Sequence, residues 1–255
     1  MKLHYEQRGS GPCLVLLHGL FGSQDNLAGI ARAAEADFTV ISMDLRNHGQ
    51  SPHSDSMTYS QMAADVLDTL PADIEAFFLL GHSMGGKVAM QLALEQPERV
   101  QALVVADIAP VVYDSRHDSI IKAMQSVDID QITQRSDADQ QLARTITEKG
   151  VRQFLLKNLQ KHDDRFVWRC HLPAIAACYP EVLKAPESTS SYEKPVLFIK
   201  GANSDYILPE HQEPIRQLFP KAGAKIIHGA GHWLHAEKPA AFNKLVLDFL
   251  QKNQA

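Results

Sequence analysis

Residues 79–88 read Leu-Leu-Gly-His-Ser-Met-Gly-Gly-Lys-Val, and they indicate the fold more directly than any other stretch. The apolar residues 77–80 predict a buried strand of a parallel sheet, and residues 88–94 predict a helix. A serine in the pattern G-x-S-x-G, between a strand and a helix, is typical of a nucleophile elbow. The tight turn strains the backbone of Ser83 and leaves no room for side chains at positions 81 and 85. We therefore expect the Ser83 hydroxyl to project above the sheet at a helix N-terminus, where negative charge is favoured.

The same residues also resemble a phosphate-binding P-loop. The pattern G-x-x-x-x-G-K is present at 81–87, and the apolar residues 103–106 are followed by an aspartate that could hold magnesium. However, a P-loop requires serine or threonine after its lysine to bind the metal, and this chain has Val88 there. A P-loop-like NTPase is therefore the disfavoured alternative from a different class of enzyme.

The composition limits the possible partners and the compartment. The chain has 255 residues, 45% of them hydrophobic and 22% charged, which suits one domain or a core with an insertion. A net charge of −5 gives no general attraction to nucleic acids or anionic membranes, so we expect neither as a partner. An odd number of cysteines, three, argues for a reducing compartment. No signal peptide or membrane-spanning run is evident. The sequence thus predicts a cytoplasmic protein and does not indicate an oligomeric state.

Predicted strands alternate with helices as far as residue 107, which is the pattern of a parallel sheet with crossover helices. The alternation stops near residue 111 and resumes with an apolar strand near residue 195. Between these points we expect no strand, and the sequence favours three helices, at about 117–126, 137–147 and 149–160. We therefore predict an α/β core formed by residues 1–110 and 191–255, with residues 111–190 inserted as a helical lid over the sheet edge.

A serine hydroxyl is a weak nucleophile at neutral pH and needs a neighbouring base. His232 is the candidate, because it follows the last predicted strand and so lies at the same edge of the sheet as Ser83. The base in turn needs a carboxylate to hold its tautomer and orientation. Two aspartates qualify by position: Asp107 ends the strand after the elbow, and Asp205 lies in the loop after the penultimate strand.

Several motifs occur in the order found in the α/β-hydrolase superfamily and span nearly the whole chain. They are His18-Gly19, Asp44-x-Arg46-x-His48-Gly49-x-Ser51, Gly81-His82-Ser83-Met84-Gly85-Gly86 and Gly231-His232-Trp233. The chain therefore resembles this superfamily, and residues 18–23, 46–49, 107–110 and 232–239 are more narrowly similar to the bacterial YbfF-type esterases. The resemblance implies an α/β-hydrolase fold, with a mostly parallel central sheet, helices on both faces and a helical lid. It also implies a cytoplasmic serine esterase for short-chain esters and acyl-CoA thioesters.

The resemblance also bears on the choice of acid. The superfamily aspartate usually occurs in G-x-x-D after the penultimate strand, but the fourth residue counted from Gly201 is Ser204, and Asp205 comes one place late. A slip of one residue in a loop can redirect a side chain completely. Similarity to the YbfF-type esterases implies that Asp107 is the acid and that Ser204 is a fourth, hydrogen-bonding member beside the histidine.

The implied fold supplies an oxyanion hole from two backbone N–H groups. One belongs to Met84, directly after the nucleophile, and Leu20 is the best match for the other, in the loop after the first buried strand. We expect Phe21, Trp168 and Trp233 to contact the substrate. These assignments depend on the resemblance and on the predicted position of the lid.

The expected substrate is a small-molecule acyl ester or thioester, cleaved through an acyl-enzyme on Ser83. C–C bond hydrolases and lyases share the same triad, so they are an alternative on the same residues. No metal and no cofactor is expected, because the histidines at 228, 232 and 235 lack a cysteine or carboxylate partner at ligand spacing and H-E-x-x-H is absent.

Overall fold

The computed structural model describes residues 1–163 and 165–254. Nine strands lie within these ranges: β1 (Tyr5–Arg8), β2 (Cys13–Leu17), β3 (Thr39–Met43), β4 (Phe77–His82), β5 (Val100–Ala106), β6 (Leu159–His162), β7 (Arg165–Trp168), β8 (Val196–Gly201) and β9 (Ala222–Ile227). Seven of them form one sheet in the order β1-β3-β2-β4-β5-β8-β9. All neighbours in it are parallel except β1, which pairs antiparallel with β3. The mostly parallel central sheet is confirmed.

Helices cover both faces of this sheet. The described residues contain ten α-helices: α1 (Ala28–Ala34), α2 (Tyr59–Thr69), α3 (Met84–Glu95), α4 (Asp118–Gln125), α5 (Arg135–Leu142), α6 (Lys149–Leu155), α7 (Leu172–Leu183), α8 (Gln212–Leu218), α9 (Leu234–Glu237) and α10 (Pro239–Lys252). Buried side chains of α1 and α10 share one apolar cluster, and those of α2 and α3 share the cluster on the opposite face. The α/β-hydrolase architecture follows from this arrangement.

The central strands are apolar throughout because both of their faces are covered. In β2, Val15 and Leu17 face the cluster that contains α2 and α3, whereas Leu14 and Leu16 face the one that contains α1 and α10. All four side chains are at most 1% exposed. This two-residue alternation explains why a continuous apolar run, rather than an alternating one, marks the strand.

Segment 111–190 differs from the prediction in one respect. It contains α4 to α7, but it also contains the antiparallel pair β6–β7, so the expectation of no strand here is wrong. The predicted helix over 149–160 ends at Leu155, and β6 begins at Leu159 after a 3-10 turn. The pair forms because Phe166 is buried between exposed neighbours, a strand-like alternation only four residues long. That the segment acts as a lid stays a prediction.

The order of the sheet determines where the site lies. Strands β4, β5, β8 and β9 are consecutive neighbours and parallel, so the loops after them open at the same edge. These loops carry Ser83, Asp107, Ser204 and His232 respectively. Residues that are up to 149 positions apart in sequence therefore meet at one edge.

Candidate active site

Ser83 occupies the sharp turn between β4 and α3. Its backbone has φ 53° and ψ −122°, a conformation that costs a non-glycine residue on the order of 1–3 kcal/mol. A Cβ atom on Gly81 would lie 2.1 Å from the carbonyl oxygen of Gly85, and one on Gly85 would lie 2.4 Å from that of Leu17. The two glycines therefore allow the turn to pack against itself and against β2, which is the geometry of a nucleophile elbow.

His232 connects Ser83 to a buried carboxylate. Its Nε2 lies 2.9 Å from Ser83 Oγ, and its Nδ1 lies 2.8 Å from Asp107 Oδ2. A carboxylate can only accept, so Nδ1 carries the hydrogen and Nε2 is left to accept the serine proton. The three side chains thus form one continuous chain of hydrogen bonds.

Asp107 is completely buried, and each of its oxygens is bound. The Gly201 N–H donates to Oδ1 at 2.9 Å, and the Ser204 hydroxyl donates to Oδ2, the same oxygen that receives the His232 hydrogen. Donors of this kind stabilise a buried negative charge, which would otherwise be costly. Ser204, standing in the place of the usual aspartate, therefore binds the carboxylate from the neighbouring loop.

The alternative acid, Asp205, points away from the site. Its side chain is 71% exposed and accepts a hydrogen bond of 2.7 Å from Arg116. The one-residue slip in the loop after β8 thus places Ser204 at Asp107 and Asp205 at the surface. Of the two aspartates that qualify by sequence position, the structure brings only Asp107 to His232.

The backbone N–H groups of Leu20 and Met84 have no hydrogen-bond partner within residues 1–163 and 165–254. Both residues line the same cavity as Ser83. The Leu20 loop is fixed from segment 111–190, because the Asn158 side-chain amide donates to the Phe21 carbonyl oxygen at 2.7 Å. Sequence reasoning missed Asn158, since nothing in its neighbourhood indicates that it reaches a loop 137 residues away.

Tyr206 is a second residue that sequence reasoning missed. Its ring is stacked on that of His232, with centroids 3.9 Å apart and planes 18° apart. The guanidinium carbon of Arg116 lies over the Tyr206 ring, 4.8 Å from its centroid. The backbone of Tyr206 is held as well, because its carbonyl oxygen accepts from Tyr113 and its N–H donates to Ser204. Its position two places after Ser204 is the only available sequence signal.

Other histidines surround the site without joining the chain of hydrogen bonds. His82 donates from Nε2 to the His232 carbonyl oxygen at 2.9 Å, and its ring packs on that of His235. Burial lowers the pKa of His82 well below its ordinary value and that of His235 to about 4, so both are neutral at pH 7. His18 accepts from the Leu45 N–H at 3.0 Å and so fixes the loop after β3.

Two cavities meet at Ser83. The first, which we name the Tyr59 cavity, has a volume of about 30 Å³ and extends past Met84 and Lys87 to Tyr59 and Leu183. The second, the Trp233 cavity, has a volume of about 200 Å³. It is lined by Phe21, Ile120, Val151, Phe154, Leu155, His232 and Trp233, among others. Of the three expected substrate contacts, Phe21 and Trp233 line this cavity, whereas Trp168 lies in β7 and lines neither.

Lys87, the lysine of the P-loop-like pattern, is buried against α7. Its Nζ donates to the carbonyl oxygens of Leu183, at 3.2 Å, and of Lys184, and lies 4.7 Å from the Tyr113 ring centroid. Burial lowers its pKa to about 7. An amine engaged in this way does not form a phosphate cradle, so the NTPase alternative is not supported.

Within the two described ranges, no group of three or more His, Cys, Asp or Glu side chains is placed to hold a metal ion. None of the described helices is both long and apolar enough to cross a bilayer.

Comparison with known proteins agrees with this geometry. A model of the alpha/beta hydrolase family matches residues 14–245. The Xenopus laevis protein named sn-1-specific diacylglycerol lipase ABHD11 is 44% identical over 256 residues, which cover 97% of this chain and 82% of the relative. The Escherichia coli protein named esterase YbfF is 40% identical over 246 residues, covering 96% of this chain and 94% of the relative.

Solved structures give the same result. A structure described as a marine microorganism esterase superposes with a TM-score of 0.94 at 38% identity, covering 97% of this chain and 99% of the other. It therefore shares both the fold and much of the sequence. The chain thus belongs to the alpha/beta hydrolase family and is an enzyme of the carboxylic ester hydrolase class.

Proposed function

We propose that this enzyme cleaves short-chain carboxylic esters, and also acyl thioesters such as acyl-CoA, through an acyl-enzyme on Ser83. The observation that carries the proposal is the hydrogen-bonded chain from Ser83 through His232 to the buried Asp107. It combines a nucleophile, a base and an acid in the order that acyl transfer requires. The relatives named esterase support the same chemistry.

The first step forms the acyl-enzyme. His232 Nε2 removes the proton of Ser83 as its oxygen attacks the substrate carbonyl carbon. The N–H groups of Leu20 and Met84 bind the oxyanion, and one such donor is typically worth about 3–4 kcal/mol in the transition state. His232, now an imidazolium, gives its proton to the leaving alcohol or thiol, and the bond between acyl carbon and leaving atom breaks.

Water completes the cycle. His232 takes a proton from a water molecule, whose oxygen attacks the acyl carbon, and then returns that proton to Ser83 as the acid product leaves. Asp107 stabilises the imidazolium in both halves of the reaction. Ser204 supports Asp107 by donating a hydrogen bond, and so acts on the histidine indirectly.

Labelling combined with substitution tests the proposal. Ser83→Ala should lower kcat for a short p-nitrophenyl ester by about 10⁵–10⁶-fold and abolish labelling by a fluorophosphonate. Ser60→Ala, a surface serine on α2, is the matched control and should leave both unchanged. Esterase activity that persists in Ser83→Ala would rule out the acyl-enzyme.

The C–C bond hydrolase and lyase alternative uses the same residues, and a substrate panel separates the two. We expect esters and thioesters to be hydrolysed and carbon–carbon substrates such as β-diketones to be left intact. The reverse pattern would overturn the proposed reaction while leaving Ser83 as the nucleophile.

We also propose a cytoplasmic location and a small-molecule substrate. The three cysteines, Cys13, Cys170 and Cys178, are free thiols and buried, as expected in a reducing compartment. Cell fractionation with an antibody against the native protein would test the location.

A further inference from the structure

The two cavities that meet at Ser83 are not equivalent. Leu20, Ser83, His117 and Tyr206 line both of them. His232 lines only the Trp233 cavity, and Met84 lines only the Tyr59 cavity. An ester bound at Ser83 must place one of its two arms in each cavity, and this difference in lining decides which arm goes where.

The leaving atom has to receive its proton from His232 Nε2. Proton transfer requires that atom to lie within about 3 Å of Nε2. His232 forms part of the wall of the Trp233 cavity but not of the Tyr59 cavity, so only a substrate group in the Trp233 cavity lies beside Nε2. The alcohol or thiol therefore occupies the Trp233 cavity, and the acyl chain has to extend past Met84 into the Tyr59 cavity.

The Tyr59 cavity is the smaller of the two, and its inner end, at Tyr59 and Lys87, is closed. The Tyr59 hydroxyl donates to the Val182 carbonyl oxygen at 2.5 Å, and Lys87 donates to the carbonyl oxygen of Leu183. Tyr59 and Lys87 are at most 5% exposed. Lengthening the cavity would break buried hydrogen bonds, each costing about 1–3 kcal/mol. The end of this cavity therefore limits the length of the acyl chain.

The Trp233 cavity is several times larger, about 200 Å³ against about 30 Å³, and its wall is largely apolar. The rings of Phe154 and Trp233 lie side by side with centroids 5.6 Å apart, and Val151 and Ile120 complete this side. An apolar group that binds against this wall removes apolar surface from water, which is favourable. Apart from Tyr206, histidines are the only titratable side chains among the described residues that line this cavity.

We propose that this enzyme selects, among esters, those whose acyl group is the smaller arm and whose alcohol is the larger, apolar arm. The acyl group enters the Tyr59 cavity and the leaving group enters the Trp233 cavity. This inference rests on the proposed function, because it assigns the two arms of the substrate around the same nucleophile. It predicts acetate-like and butyrate-like esters of bulky apolar alcohols as the preferred class.

Two substrate series test the assignment. The acyl series consists of p-nitrophenyl esters from acetate to dodecanoate. The alcohol series consists of acetates from methyl to 1-naphthyl and decyl, and their hydrolysis is measured by pH-stat titration. We expect kcat/KM to fall at least tenfold once the acyl chain exceeds the Tyr59 cavity, since one misplaced methylene costs about 10–200-fold. We expect it to rise along the alcohol series. A preference for dodecanoate over butyrate would overturn the proposal.

A matched pair of valine variants locates each arm. Val182→Ala enlarges the Tyr59 cavity and should raise kcat/KM about tenfold for the first acyl chain that the wild-type enzyme rejects. Val151→Ala enlarges the Trp233 cavity and should alter the alcohol series instead. If Val182→Ala fails to fold, Val182→Ile narrows the same cavity and should shorten the accepted chain. An exchange of these effects between the two positions would show that the arms lie the other way round.

Failure of this inference is distinguishable from failure of the proposed function. Reversed profiles with Ser83-dependent hydrolysis would overturn the assignment of the arms alone. Absence of both hydrolysis and fluorophosphonate labelling would overturn the proposed function and this inference together.

Discussion

The carboxyl edge of the sheet and segment 111–190 surround the same nucleophile in different ways. Along the sheet edge, Ser83, Asp107, Ser204 and His232 each follow a strand and are hydrogen-bonded to one another. Segment 111–190 contributes cavity walls and the bonds that fix them. We therefore propose that the sheet edge carries the chemistry and that the segment determines which substrate reaches it. Substitutions at the edge should therefore change rates by orders of magnitude, and those in the segment should change selectivity.

Specific bonds join the two regions. Lys87 and Tyr59 of the core donate to carbonyl oxygens at the end of α7, and Asn158 of the segment donates to Phe21. Arg116 of the segment pairs with Asp205. Three of these contacts are buried or half-buried, and Asp205 is exposed, so its ion pair contributes least, about 0–1 kcal/mol.

The largest effect should separate the two aspartates. Asp107→Asn should lower kcat about 10³–10⁴-fold, because an amide beside Nδ1 favours the wrong histidine tautomer. Asp205→Asn removes only an exposed ion pair and should change kcat less than twofold. Steady-state kinetics with a short p-nitrophenyl ester give both values.

The two aspartate variants form a matched pair, since the substitution is identical and the residues are close in space. Thermal unfolding of each protein would establish that the low rate is not due to loss of the fold. A larger loss in Asp205→Asn than in Asp107→Asn would reassign the acid and contradict the geometry described above.

The features at the sheet edge were accessible from sequence because their signals are local. The G-x-S-x-G pattern lies between a strand and a helix, and His232 follows the last strand, so both could be placed before any contact was known. The choice between Asp107 and Asp205 could not be made from residue positions alone. It depends on how the loop between Gly201 and Pro209 turns, and only the resemblance to a family indicated Asp107.

Segment 111–190 was harder to predict for a physical reason. Strands β6 and β7 are four residues long, which is too short for an alternating pattern to stand out. Helix α7 contains Pro180, so its sequence does not look helical, yet burial of Leu172, Ile175 and Tyr179 holds it in place. The positions of Trp168, outside both cavities, and of Tyr206, stacked on His232, depend on packing between distant segments and leave no local sequence signal.

A smaller effect should come from the ring stacked on His232. Tyr206→Leu should lower kcat/KM about tenfold, because an aromatic face on an imidazolium and the lost packing are together worth about 1–2 kcal/mol. Tyr206→Phe keeps the ring and should remain within threefold of the wild-type value. The kinetic constants of the two variants and the pH profile of their kcat/KM measure the contribution of the ring. Thermal unfolding would establish that both variants are folded under the assay conditions.

Arg116 lies over the Tyr206 ring and belongs to segment 111–190, so its substitution tests whether that segment affects the rate through this ring. Arg116→Leu removes the cation from the ring but leaves the stack on His232, so we expect a change of less than threefold. A loss in Arg116→Leu that equals the loss in Tyr206→Leu would mean that the segment takes part in the chemistry, against the division of roles drawn here.

The last effect is on stability rather than on rate, and it concerns the contact of Lys87 with α7. Burial lowers the Lys87 pKa from 10.5 to about 7 in the folded protein. Between these values the unfolded chain binds one proton more than the folded chain, so the free energy of unfolding rises with pH, by up to about 1.4 kcal/mol per pH unit. Lys87→Met removes this titration. The free energy of unfolding of the wild-type protein, minus that of Lys87→Met, should therefore increase as the pH is raised from 7 to 9.

Urea denaturation at pH 7, 8 and 9, followed by tryptophan fluorescence, measures this difference. Lys244→Met, at an exposed position on α10, controls for the loss of a lysine as such. A difference for Lys87→Met that stays constant with pH would mean that Lys87 keeps its proton throughout this range, and that its ammonium group, rather than a neutral amine, holds the end of α7 against the core.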